Sequence, residues 1–120
     1  MPSFRNFCIT LNNPPEHNGD EMPPFFNNII GRSIFIICQL EKGEKGTPHF
    51  QAYIRLKNAA TFSQVQKLLP KAHIEAAKGT PLQNYEYCSK EEGRIAGPWV
   101  HGPPPKGQGN FAYHLFWYTH

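Results

Sequence analysis

Residues 33–40 read SIFIICQL, an almost unbroken run of β-branched and apolar side chains. A strand with one wet face alternates apolar and polar residues; a run without alternation predicts a strand buried on both faces. The next six residues, EKGEKG at 41–46, are charged and punctuated by glycine, as a hairpin connection is. Residues 49–56, HFQAYIRL, then resume in alternating character. The two segments therefore pair as antiparallel strands across that loop. This hairpin sets the frame for the rest of the chain.

Around it, FCITL at 7–11 is an apolar, β-branched run closed by Asn12-Asn13-Pro14-Pro15 and reads as a first strand. Residues 25–30 suit a short helix stopped by Gly31. Residues 61–69 place Phe62, Val65, Leu68 and Leu69 on one helical face, with Thr61 and Gln64 at capping-box spacing and Pro70 as a stop. A short strand at 73–77 precedes Gly79, and Pro81 opens a helix running to about Glu92. A last strand is expected at 97–102. The order strand, helix, strand, strand, helix, strand, helix describes an α+β fold, ferredoxin-like or RRM-like, with an antiparallel sheet covered on one side by helices.

The 120 residues allow one domain, expected at 1–102. The 12 Pro and 10 Gly require many turns, while 39% hydrophobic and 13% aromatic residues exceed what a disordered chain carries. Residues 103–110 read as an extended Pro/Gly-rich exit linker, followed at 111–120 by an aromatic tail without an evident role. No apolar run approaches the ~20 residues of a membrane span, and the N-terminus lacks a signal-peptide pattern, so a soluble protein with no membrane partner is expected. Three cysteines, an odd number with no C-x-x-C, suggest neither a disulfide framework nor zinc, and fit a reducing compartment. The net charge of +3 is uneven: residues 1–40 sum to −1 and residues 41–120 to +4. The second stretch suits a polyanion or simply a solvated surface.

Function must come from particular side chains. His49 and Gln51 leave one face of their strand, and Glu41 at the end of the partner strand lies beside them. Carboxylate, imidazole and amide oxygen make a hard, mixed donor set suited to Mg²⁺ or Mn²⁺; the plainer reading is a histidine opening a strand and a solvated glutamine. On the last helix, at ~100° per residue, Gln83, Asn84, Tyr87, Lys90 and Glu91 share a polar face opposite Leu82, Tyr85, Cys88 and Ser89. Tyr87 beside Lys90 is either a nucleophile assisted by a cation or an ordinary surface tyrosine. His17, His101, His114 and His120 fall in loops or the tail as solvated residues, and His73 shares a strand face with Glu75. No P-loop, nucleophile elbow or dinucleotide-binding glycine fingerprint occurs.

Three segments taken together, FCITLNNP at 7–14, GTPHFQAYI at 46–54 and YCSK at 87–90, resemble in order and spacing the motifs of replication-initiator proteins of circular single-stranded DNA viruses. The likeness is to the circovirus, cyclovirus and nanovirus kind and covers about residues 4–102. It implies an HUH endonuclease fold and a metal-dependent nicking and joining enzyme that initiates rolling-circle replication through a 5′-phosphotyrosine. Carried over, Glu41, His49 and Gln51 would hold Mg²⁺ or Mn²⁺, Tyr87 would be the nucleophile and Lys90 would assist it. Thr10, Asn12 and Asn13 of the first motif, and Lys78 of a connecting segment, would meet DNA. The implied partners are single-stranded or stem-loop origin DNA and a full-length initiator or second copy; the implied location is the host nucleus. Ala52 stands where relatives often have glycine. Relatives continue into a helicase domain, so a chain ending at His120 reads as a truncated, spliced or frame-shifted form. Two rivals are a non-catalytic DNA-binding regulator and an RNA-recognition module; the second is weakened because Phe50 and Tyr53, three apart on a strand, face opposite ways.

Overall fold

The apolar run at 33–40 lies within β2 (Ser33–Lys42), with β3 (Pro48–Ala60) on one side and β5 (Arg94–His101) on the other. The computed structural model describes residues 1–106. Before β2 come β1 (Phe4–Asn12), a 3-10 turn (Pro24–Phe26) and α1 (Asn27–Ile30); after β3 come α2 (Phe62–Leu68), β4 (His73–Ala76) and α3 (Pro81–Tyr87). The strands form one sheet in the order β4-β1-β3-β2-β5, with every neighbouring pair antiparallel. Its first four strands have the 4-1-3-2 order of a ferredoxin-like β-α-β-β-α-β unit, and β5 extends the β2 edge. The α+β fold is as expected.

One expectation needs correction: the sheet is covered on both faces. On the first face Phe7, Ile9, Ile36, Phe50 and Ile54 pack against Phe26, Ile29, Val65 and Leu69 from α1, α2 and their flanks. On the second, Phe35, Ile37 and Tyr53 pack against Cys88 and Tyr85 at the end of α3. This second layer is why β2 shows no alternation. Phe50 and Tyr53 do face opposite ways, and both are buried, so neither ring is open for a base to stack on.

Local chemistry fixes the helix starts. Both α2 and α3 begin with a capping box: Thr61 with Gln64, and Thr80 with Gln83. Gly79 precedes the second with φ of +77°, and a Cβ there would stand 2.5 Å from Gln83 Oε1. α3 ends at Tyr87, short of the expected Glu92, and the chain turns through residues 88–93 into β5.

The histidines also differ from expectation. His101 closes β5, and half-buried His17 packs edge-on against Trp99 at 5.0 Å. Trp99 Nε1 donates to the Gly19 carbonyl at 3.0 Å, which fastens the long β1–α1 connection to the sheet. His114, His120 and the aromatic tail lie outside the described residues. No helix among the described residues is long and apolar enough to cross a membrane.

Candidate active site

Antiparallel register builds the site in rows. On the face covered by α3, His49 stands between Asn12 and Glu41, Gln51 between Thr10 and Gln39, and Tyr53 between Cys8 and Ile37. The hairpin thus brings Glu41 beside His49, with His49 Nε2 3.5 Å from Glu41 Oε1. Gln51 is one row away. Its Oε1 accepts from the Thr10 hydroxyl at 3.3 Å and its Nε2 donates to the Ile9 carbonyl at 3.5 Å.

Glu41 is buried, 5% exposed, and its carboxylate is densely partnered. Lys90 Nζ lies 2.8 Å from both oxygens, and Gln39 Nε2 donates to Oε2 at 2.7 Å. The same Gln39 nitrogen donates to the Lys90 carbonyl at 2.9 Å, while Gln39 Oε1 is buried with no hydrogen-bond partner among the described residues. His49 Nδ1 lies 3.2 Å from the Thr47 carbonyl. With the proton on Nδ1, donated to that carbonyl, Nε2 turns a lone pair toward the carboxylate.

In that tautomer Nε2 and Oε1 are two adjacent acceptors, and the cation that the carboxylate holds in this structure is the Lys90 ammonium. No group of three His, Cys, Asp or Glu side chains among the described residues could hold a metal ion. A hard cation would therefore depend on the Glu41–His49 pair together with amide oxygens, of which Gln39 Oε1 is unpaired and Gln51 Oε1 is within the next row. That donor set fits Mg²⁺ or Mn²⁺ better than zinc. An open cleft of about 470 Å³ runs over Glu41, His49 and Lys90, with Glu44 and Glu92 also lining it.

Tyr87 closes α3 and is 54% exposed. Lys90 Nζ sits 4.1 Å from its ring centroid, over the face of the ring. Lys90 is not on the helix, contrary to the expected shared face: it lies in the following turn, reaches the ring from there and is anchored to Glu41. Tyr85 packs inward, 5.9 Å from Phe35. Asn84 also departs from the expected polar face and is buried. Its Nδ2 donates to the carbonyls of Lys78 at 2.8 Å and Thr80 at 2.9 Å, and its Oδ1 accepts from the Cys8 thiol at 3.2 Å.

The remaining candidates scatter. Thr10 spends its hydroxyl on Gln51, and Asn12 is exposed at the end of β1. Asn13 takes a left-handed φ of 51° and donates its N–H to the Pro48 carbonyl at 2.8 Å, closing the strand end. Lys78 is exposed on the loop before α3. His73 and Glu75, 3.7 Å apart, are an exposed pair on β4.

Burial raises the Cys8, Cys38 and Cys88 thiols, and it pushes the Tyr53 phenol up to about 12 while Arg55 partly opposes the rise. Sequence reasoning missed Gln39 and the inward role of Asn84. The signal for Gln39 was present: it is the first amide in an otherwise apolar run.

Over residues 4–91 the chain matches a family model described as "Putative viral replication protein". It is 45% identical over 92 residues to the replication-associated protein of Beak and feather disease virus, covering 72% of this chain and 29% of that protein. It is 40% identical over 87 residues to the replication-associated protein of Canary circovirus, covering 72% and 29%. Over 98 residues it is 37% identical to the master replication protein of Faba bean necrotic yellows virus, covering 80% and 30%. The chain therefore spans less than a third of the length of these curated relatives.

Proposed function

The chain belongs to the viral replication protein family, and from that premise we propose that it nicks and rejoins single-stranded origin DNA to initiate rolling-circle replication. One observation carries this reading: an exposed tyrosine, Tyr87, lies against the ammonium of Lys90, and that same ammonium is bound to the buried Glu41 beside His49. Nucleophile, cation and hard donor pair are thus contiguous.

In the proposed reaction the Tyr87 oxygen attacks the scissile phosphorus, the bond to the 3′ oxygen breaks and the 5′ phosphate remains on the tyrosine. The phenolic proton is released to solvent, and the departing 3′ oxygen takes one up from solvent and ends as a hydroxyl. An incoming 3′ hydroxyl reverses the exchange and reseals the strand, so neither step consumes ATP. Glu41 and His49, with Gln51 from the adjacent row, would hold Mg²⁺ or Mn²⁺. When bound, that ion supplies Lewis-acid polarisation of the phosphate oxygens. Thr10 keeps the Gln51 amide oriented, and Asn12 and Asn13 at the same sheet end, with Lys78, are the proposed DNA contacts. A full-length initiator or a second copy would act at the same origin, in the host nucleus.

The test is incubation with Mn²⁺ and a stem-loop library carrying a randomised loop, followed by denaturing electrophoresis. A protein–DNA adduct mapped by mass spectrometry to Tyr87 is expected. Cleavage without an adduct, or an adduct on Tyr85 or Tyr53, would overturn the assignment.

A further inference from the structure

Lys90 occupies the oxygens that a metal on Glu41 would use. Its Nζ is 2.8 Å from Oε1 and 2.8 Å from Oε2, so one ammonium spans the whole carboxylate. Gln39 holds both members of the pair, through Oε2 of Glu41 and the backbone carbonyl of Lys90. Glu41 is nearly buried and Lys90 is only 30% exposed along its side chain, so water screens the pair incompletely. A divalent cation on those oxygens would meet a like charge within a few ångströms, and repulsion at that range is strong.

We propose that Lys90 is a built-in counter-ion which Glu41 exchanges for the divalent metal, so that metal loading frees the Lys90 ammonium beside Tyr87. The proposal rests on the reading of Glu41 as a metal ligand. Before exchange, Lys90 neutralises Glu41 and ties the turn after α3 to β2. While still paired with Glu41, the ammonium already lies over the Tyr87 ring, 4.1 Å from its centroid, so exchange leaves it beside the tyrosine. There it can attend the charge on an arriving phosphate or on the phenolic oxygen. The exchange imposes an order in which metal precedes productive engagement of DNA, and it makes Lys90 an antagonist of metal binding as well as a helper of Tyr87.

The test measures Mn²⁺ affinity of the whole chain by the electron paramagnetic resonance of free Mn²⁺, without DNA. Lys90→Met is expected to bind Mn²⁺ about tenfold tighter than wild type, as one opposing charge-assisted contact is removed. Lys90→Arg, which keeps the charge, should stay within about threefold of wild type. Glu41→Gln should weaken binding by about tenfold or more, and Lys90→Met should add nothing in that background. If Lys90→Met leaves affinity unchanged or weaker while Glu41→Gln weakens it, the exchange is refuted and the functional reading stands. If Glu41→Gln has no effect, Glu41 is not a ligand and both fall. Equal tightening by Lys90→Met in both backgrounds would show diffuse electrostatics and refute the exchange. A measurement on wild type avoids any folding defect: in lysine-labelled protein, Mg²⁺ should shift the Lys90 Nζ resonance as its contact with Glu41 is lost, while the neighbouring εCH₂ keeps the shielding of the Tyr87 ring. A Lys90 Nζ signal unmoved at saturating Mg²⁺ would refute the proposal.

Discussion

Replacing Asn84 by alanine tests how the tyrosine-bearing helix is fastened. The side chain makes two amide donations, to Lys78 and Thr80, and accepts one thiol contact from Cys8. Two ordinary hydrogen bonds at ~1 kcal/mol each give a loss of about 2 kcal/mol, and the weak thiol contact adds little. The abandoned Thr80 carbonyl does not enlarge this figure, because it keeps the Asn84 backbone N–H at 3.1 Å, and the Lys78 carbonyl belongs to an exposed loop residue. Alanine returns about 0.5 kcal/mol through its better helix propensity. The net destabilisation should be about 1.5 kcal/mol, which a domain of this size survives. Equilibrium urea unfolding should show a lower midpoint with an unchanged slope. Adduct formation should fall severalfold while Mn²⁺ affinity holds, because Asn84 positions α3 and not Glu41 or His49. A loss under about 0.5 kcal/mol, or Mn²⁺ affinity falling in step with activity, would refute the assignment.

Tyr87→Phe should fold and bind single-stranded DNA yet form no adduct, whereas Tyr85→Phe should still form one; peptide mapping by mass spectrometry decides between them. His49→Ala should abolish Mn²⁺-dependent nicking and weaken Mn²⁺ binding at least tenfold, with phosphate-driven DNA binding retained in a mobility-shift assay. Stability should also fall in alkali. The three thiols and the Tyr53 phenol are held neutral by burial, and a group whose pKa is raised on folding stabilises below its unfolded pKa and loses that contribution as pH rises through the folded value. Urea midpoints should therefore be insensitive to these groups at neutral pH and decline above about pH 9, and Tyr53→Phe should remove the portion lost between 10 and about 12.

The hairpin was the legible part of the site. Register parity alone sets Glu41 opposite His49 and puts Gln51 on the same face, and the structure has that register. The capping box at Thr61 and the proline opening α3 were equally local signals. What failed was non-local. The absence of alternation in β2 requires cover on both faces, but the element order alone places helices on one side, because the length and attachment of α3 are decided by contacts with distant strands. The sequence pattern extends the helix past Tyr87 because no residue before Gly93 resembles a stop. That extension put Asn84 and Lys90 on one imagined polar face. In the fold Asn84 turns to Cys8 on β1, 76 positions away, and Lys90 leaves the helix to reach Glu41, 49 positions away. The pinning of Gly19 by Trp99 spans 80 positions and had no local signature.

The donors and the tyrosine stand on parts of the molecule with unequal resistance to opening. β2 is buried along most of its length between two strands, whereas the only residue α3 buries within its seven is Asn84, with Cys88 just beyond. Amide protons of β2 and β3 should thus exchange only when the whole domain unfolds, and those of α3 should exchange through a smaller local opening. A DNA strand joined to Tyr87 would pull on that weaker unit. Tension along the strand would peel a seven-residue helix away from the sheet before it disturbed the register of Glu41 and His49, leaving the donor pair assembled to meet the helix when it returns.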